Sequence, residues 1–312
     1  MIMLLAAEPP TPSALLEPTA MWFFNWAIPI FSLIVIALAV MDSVRRRRLT
    51  WGFLFLTNSM LVYWMETIGD WGQHLIFSPK FARHTLLDWL PIKGPNNPIF
   101  MPFAYATYWT VHALIVLWLA NYCVKRYGWS LLKGCLVLSF PVNYGWNLLV
   151  EGFVMTRLGW ETYDPGFGPH ITWANGAQWT LVWTVGLMCV WPNVIAYWAG
   201  KPPVRGLNHI ERFCGLARFT RPRTSASGPV GSGGSLSGTG ASAATVVKSA
   251  PLVREAEYDS FLNYEVTIPR WRFEVARFGA WCLVFQVSFF MMLIVPLVLM
   301  RVITGHDSIY AP

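Results

Sequence analysis

Charge is what this chain has least of. Charged residues make up 12% of its 312 positions, against about 25% in a soluble domain, which excludes an ordinary water-facing globule. Cysteine is sparse as well, with five residues and no CxxC pair, so neither a disulfide framework nor a zinc knuckle is indicated. The six histidines show no HxxxH spacing, unlike the histidine boxes of membrane di-iron desaturases and hydroxylases. A haem held within a bundle would need facing histidines inside apolar segments, and only His112 is so placed. Walker A, GxSxG and dinucleotide fingerprints are all missing. The first twenty residues lack a basic n-region and a long enough apolar core for a signal peptide, so insertion is expected to rely on the first span.

Apolar and aromatic residues fill the space that charge leaves. Hydrophobic residues reach 55%, with 18 tryptophans and 11 tyrosines, and the mean hydropathy is +0.43. This is the composition of a membrane protein with aromatic belts at its interfaces. A bilayer crossing needs about 20 apolar residues, and six segments qualify: 21–41, 51–68, 99–123, 129–157, 179–199 and 273–303. The expected fold is therefore all-α, a polytopic membrane protein of about six transmembrane helices. The second segment is diluted by Thr57, Asn58, Tyr63 and Glu66, and a re-entrant second segment is the alternative.

Basic residues orient these spans. Arg45–Arg48 follow the first, Lys125 and Arg126 the third, and Lys201, Arg205, Arg212, Arg218, Arg221 and Arg223 the fifth. All fall on one side, which the positive-inside rule assigns to the cytoplasm. Both termini are then extracytoplasmic, and the plasma membrane is the expected location. The net charge of +7 is accounted for by topology and by attraction to anionic lipid, without nucleic acid. The organisation expected is a tail (1–20), a five-span body (21–199), a cytoplasmic loop (200–272) with a Gly/Ser-rich flexible linker at 224–250, a loosely tethered sixth span (273–303) and a short tail (304–312).

Polar residues inside spans are costly and usually face a bundle interior or a wet cavity. In "ETIGDWGQH" Glu66, Asp70 and His74 recur every four residues, and in "NYGWNLLVE" so do Asn143, Asn147 and Glu151. On helices each set shares a face, and both fall in the outer half of the bilayer. Gly69 and Gly72 weaken the first helix, and a break there would take His74 out of its column. Pro141 is expected to kink the helix just before the second column. His112 in the third span and Gln178 at the start of the fifth join the candidate pocket, and the outer loops supply His84, Asp88, Glu161, Asp164 and His170. Plainer readings are a solvated helix end for the first column and interhelical hydrogen bonding for the second. For His112 the plainer reading is a packing role. Asp70 with His74 is at most a weak metal pattern, and no metal or other cofactor is expected.

Paired carboxyl groups in a low-dielectric pocket can hold and transfer protons near neutrality. That chemistry suits dehydration, isomerisation or cyclisation of a hydrophobic, polyketide- or lipid-like small molecule. Glu151 is expected as the buried acid and Glu66 or Asp70 as the base. Asn143, Asn147, His74, His112 and Gln178 would contact or orient the substrate. The alternative is a non-enzymatic membrane lipid-binding or transport protein.

The stretch "YWMETIGDW", the following "DWLP" and the span "NYGWNLLVEGFVMTRLGWETYDPG" carry a family resemblance. Their order, with a carboxylate preceding an Arg-x-Gly-aromatic turn, resembles the AveC-like spirocyclase family of bacterial membrane proteins, over 51–168. The resemblance implies dehydration or spiroketal formation on polyketides, and marks Glu66, Asp70 and Glu151 as pocket residues.

Overall fold

The computed structural model describes residues 10–87, 97–166, 168–181, 183–200, 204, 206–222, 264–305 and 307–310, with only the backbone described at 183–190. The expected linker at 224–250, Asp88 and the "DWLP" stretch lie outside the described residues. The protein is mostly helical. Three helices among the described residues are long and apolar enough to cross a membrane: Phe23–Arg45, Met101–Tyr127 and Arg270–Thr304, of 23, 27 and 35 residues.

The first of these opens in π geometry and continues as α1 (Ile28–Arg45). Ile30, Phe31, Leu33, Ile34, Leu38, Val40 and Val44 stand exposed along it, as residues facing hydrocarbon do. Thr50 caps α2 (Trp51–Leu61) by accepting from the Phe53 amide at 3.4 Å. At Val62–Met65 the helix tightens to 3₁₀ geometry and then resumes as α3 (Glu66–Gln73). The second apolar segment is thus one broken rod, with its break where polar residues dilute it. After a short strand, β1 (Leu75–Phe77), come α4 (Met101–Tyr127) and α5 (Leu131–Asn147). Gly128, at φ +66°, terminates α4 in the left-handed conformation, and Ser130 caps α5.

The chain runs through Pro141 without leaving α5, then shifts to π geometry over Leu148–Thr156. The irregularity therefore falls after the proline rather than at it. Since a π turn holds more residues than an α turn, Glu151 is rotated relative to Asn143 and Asn147, and the expected straight column is bent.

Strand β2 (Glu161–Tyr163) pairs antiparallel with β1, opposing Leu75 to Tyr163 and Phe77 to Glu161. A second ribbon joins β3 (His170–Thr172) to β4 (Gln178–Thr180). Helix α6 (Trp183–Gly200) leads to the short α7 (His209–Phe213). Strand β5 (Thr220–Pro222) then pairs with β6 (Tyr264–Val266) and closes the neck of the long loop. The chain ends with α8 (Arg270–Phe289), a π turn and α9 (Val295–Thr304). The all-α expectation does not include these ribbons. They have three residues per strand and sit at the helix ends, where alternation is too brief to read.

The last helix pair is integral to the bundle rather than a loosely tethered addition. Trp281, Phe285 and Phe289 are fully buried and pack on Phe55, Trp109 and Trp191. Trp191 donates to the Ser288 hydroxyl at 2.9 Å, and Trp64 to the Gln286 side-chain carbonyl at 2.7 Å. Gly69 and Gly72 do not break α3; they let it touch α9. A methyl group on Gly72 would lie 3.1 Å from the Leu297 backbone carbon and 3.2 Å from the Val298 nitrogen. Gly72→Val is accordingly expected to cost about 1–3 kcal/mol by overpacking, measured as a lower denaturation midpoint in detergent.

The two ends of the bundle differ in charge. At one end, Arg277 of α8 is 1% exposed and binds Glu211 and Glu274, each at 2.8 Å. It also donates to the Leu49 carbonyl at 2.9 Å. At the other end the terminal segments fold over the β1–β2 ribbon instead of hanging free. Leu15 is fully buried against Ile76, and the Ser308 hydroxyl donates to the Asp164 carbonyl.

Candidate functional site

Under that ribbon lie four carboxyl groups. Helix α3 contributes Glu66 and Asp70 from successive turns, the π stretch contributes Glu151, and β2 contributes Glu161. Glu66, Asp70 and Glu161 are 6%, 4% and 2% exposed, and Glu151 is partly buried. Glu66 lies within electrostatic range of the other three. None of the four is paired with a lysine or arginine among the described residues.

Tyrosines supply the hydrogen bonds that cations would otherwise make. Tyr108 of α4 and Tyr163 of β2 donate to the two Glu151 carboxyl oxygens, at 3.1 and 3.0 Å. Tyr105, three residues before Tyr108 on the same helix, lies near Glu66. Asp70 accepts a long contact of 3.4 Å from the Gln73 side-chain amide. One carboxyl oxygen each of Glu66 and Glu161 has no hydrogen-bond partner among the described residues. Buried polar atoms are normally satisfied, so these two are the atoms most available to a bound molecule.

In the sequence Glu161 is only one of several outer-loop groups. Alternation along β2 puts it on the same face as Tyr163, while Thr162 faces away and accepts from the Gln178 backbone amide at 2.8 Å. Burial pushes the Glu161 carboxyl well above its ordinary range, and the neighbouring Glu151 and Asp70 charges push it further. Tyr163 is raised in the same way, by burial and then by Glu151 and Glu161. Because folding raises the affinity of Glu161 for a proton, its contribution to stability is fully present below the unfolded carboxylate value. It is lost as pH rises towards the folded value. Glu161→Gln is expected to flatten the fall in stability above about pH 4.3, removing a slope of up to about 1.4 kcal/mol per pH unit, as read from denaturation midpoints across pH.

The other expected site residues divide. His74 ends α3 in the left-handed conformation, at φ +57° and ψ +31°, so the regular helical column of Glu66 and Asp70 stops short of it. Its Nδ1 lies 3.2 Å from the Pro165 carbonyl oxygen, which ties it to the second outer loop. The Gln178 side-chain oxygen accepts from the Gly166 amide at 2.9 Å and braces that loop. His112 is fully buried one turn beyond Tyr108, with ring centroids 4.5 Å apart, and packs on Trp146 at 5.5 Å. Neither of its ring nitrogens has a partner among the described residues, nor does the Asn147 side-chain amide. Asn143 donates to the Asn193 side-chain carbonyl at 3.1 Å, which is the interhelical bond of the plainer reading.

A surface cleft of about 410 Å³ lies apart from the carboxyl groups, between the N-terminal turn and Arg157, Leu158 and Asn175. It carries no acid pair, so the enclosed cluster is the better candidate for chemistry. No group of three or more His, Cys, Asp or Glu residues is set to hold a metal ion among the described residues. Compared with known protein families, characterised proteins and solved structures, the chain has no match.

Proposed function

We propose that the protein is a six-span plasma-membrane enzyme, with both termini extracytoplasmic, that performs acid–base cyclisation, dehydration or isomerisation on a hydrophobic small molecule. The observation that carries this reading is the convergence of Glu66, Asp70, Glu151 and Glu161 with three tyrosines and no paired cation among the described residues. The six crossings would be α1, the broken rod α2–α3, α4, α5 with its π extension, α6, and α8–α9. The basic clusters at one end and the carboxyl cluster at the other support this orientation.

Glu161 takes the role of acid, since burial and the neighbouring Glu151 and Asp70 charges favour its protonated form. It would deliver that proton to a substrate alkene, carbonyl or hydroxyl oxygen. Glu151, accepting from Tyr108 and Tyr163, is oriented to take a proton from the substrate. This assignment shifts the acid from Glu151 to Glu161. The buried indoles and phenyl rings nearby suit an apolar skeleton, and the resemblance to AveC-like spirocyclases points to polyketide-like molecules.

The test is metabolite and lipid profiling of a deletion strain complemented with the wild type or with Glu151→Gln. An open-chain or hydrated precursor should accumulate in the deletion strain and with the variant. Identical profiles in all strains would reject the reading.

A further inference from the structure

Two fully buried polar side chains that the acid–base scheme leaves unused lie one turn away from it. Helices α4 and α5 run antiparallel on either side of the short turn at 128–130. They approach closely, since a methyl group on Gly134 would lie 2.9 Å from the Ala120 Cβ. Farther along the pair, Tyr108 donates to Glu151 at 3.1 Å. Four residues onward on α4 and four back along the other chain segment bring His112 and Asn147 to the next rung. Both are fully buried, yet neither ring nitrogen of His112 nor either polar atom of the Asn147 amide has a partner among the described residues. The Trp146 indole N–H is buried and without a partner there too. Buried polar groups are normally satisfied, so three together point to a bound polar group. Trp146 and Tyr108 pack on the imidazole with ring centroids 5.5 and 4.5 Å away, and both are half-buried. The rung thus lies behind two aromatic side chains that reach the surface of the bundle.

We propose that His112, Asn147 and Trp146 bind the hydroxyl group of a lipid-soluble alcohol that enters from the bilayer between α4 and α5. An uncharged imidazole has one donor and one acceptor nitrogen, the amide has both functions, and the indole donates. A hydroxyl engages all three, giving its proton to the ring and accepting from the amide and the indole. A carbonyl only accepts and leaves the ring acceptor unmatched. Neither the amide nor the indole supplies a countercharge, so a phosphate or carboxylate headgroup would be costly to bury here. The assignment rests on the acid–base reading for one point, that the alcohol is the substrate. That substrate then carries a hydroxyl one helical turn, about 5 Å, from the atom that reacts.

The test reads the site without turnover. Histidine ring-nitrogen NMR spectra are recorded for the full-length protein in phosphatidylcholine bilayers, and the His112 signals are assigned by their loss in His112→Phe. Decanol is the probe and decane the control. Decanol should shift the acceptor-nitrogen signal saturably, and decane should not. Asn147→Leu and Trp146→Phe should each raise the decanol concentration at half-shift about threefold to tenfold, the effect of losing one hydrogen bond. A His112 signal that decanol leaves in place overturns the site, as when a trapped water already fills the rung. So does an equal shift with decane, or unchanged affinity in both variants. Identical metabolite profiles alongside normal decanol binding reject the acid–base reading and the substrate role, not the hydroxyl site.

Discussion

Arg277→Ala is expected to destabilise the fold by about 3–5 kcal/mol, the usual consequence of removing one member of a buried ion pair. The guanidinium and the Glu211 carboxylate are each 1% exposed and 2.8 Å apart. Without the arginine, Glu211 keeps, among the described residues, only the Trp281 indole at 3.2 Å and its role in capping α7. Glu274 and the Leu49 carbonyl also lose a donor. The damage should be spread across α2, α7 and α8, which meet there. Arg277→Met combined with Glu211→Gln should recover part of the loss, because the uncompensated buried charge is then gone. Denaturation midpoints of the purified variants in one detergent would measure both effects, and equal midpoints for Arg277→Ala and the wild type would refute the account.

Glu161→Gln is expected to lower turnover by about two to four orders of magnitude, the range that general acid–base catalysis contributes. Glutamine preserves the shape and a hydrogen-bond donor but cannot deliver the proton. Burial and the neighbouring Glu151 and Asp70 charges favour the protonated form of Glu161. Glu265→Gln, at an exposed position of β6 at the opposite end, should leave turnover unchanged and serves as the control. Once the accumulating precursor is known, conversion by membranes containing each variant at matched protein level is the measurement.

How far the sequence discloses this arrangement varies along the chain. The long apolar helices and the basic end are legible, because composition and the distribution of arginine act locally. Glu66, Asp70 and Glu151 are legible as costly charges within apolar runs. The turn at His74 is not, since a left-handed residue there is set by the Asp164–Pro165 loop that it contacts. The importance of Glu161 is hidden for a related reason. Only the β1–β2 pairing, between segments distant in the chain, brings it over α3. Gly69 and Gly72 mislead in isolation, because their purpose is a contact with α9.

The clasp formed by β5 and β6 opposes Thr220 to Val266 and Pro222 to Tyr264. Chain entering and leaving the long loop is therefore held at a single neck, and the bundle is insulated from the loop's length. Deleting 224–250 should leave α8 seated on α7. Fusing a reporter within that stretch should do the same, so the loop beyond the neck is the natural site for a tag that leaves the membrane body undisturbed.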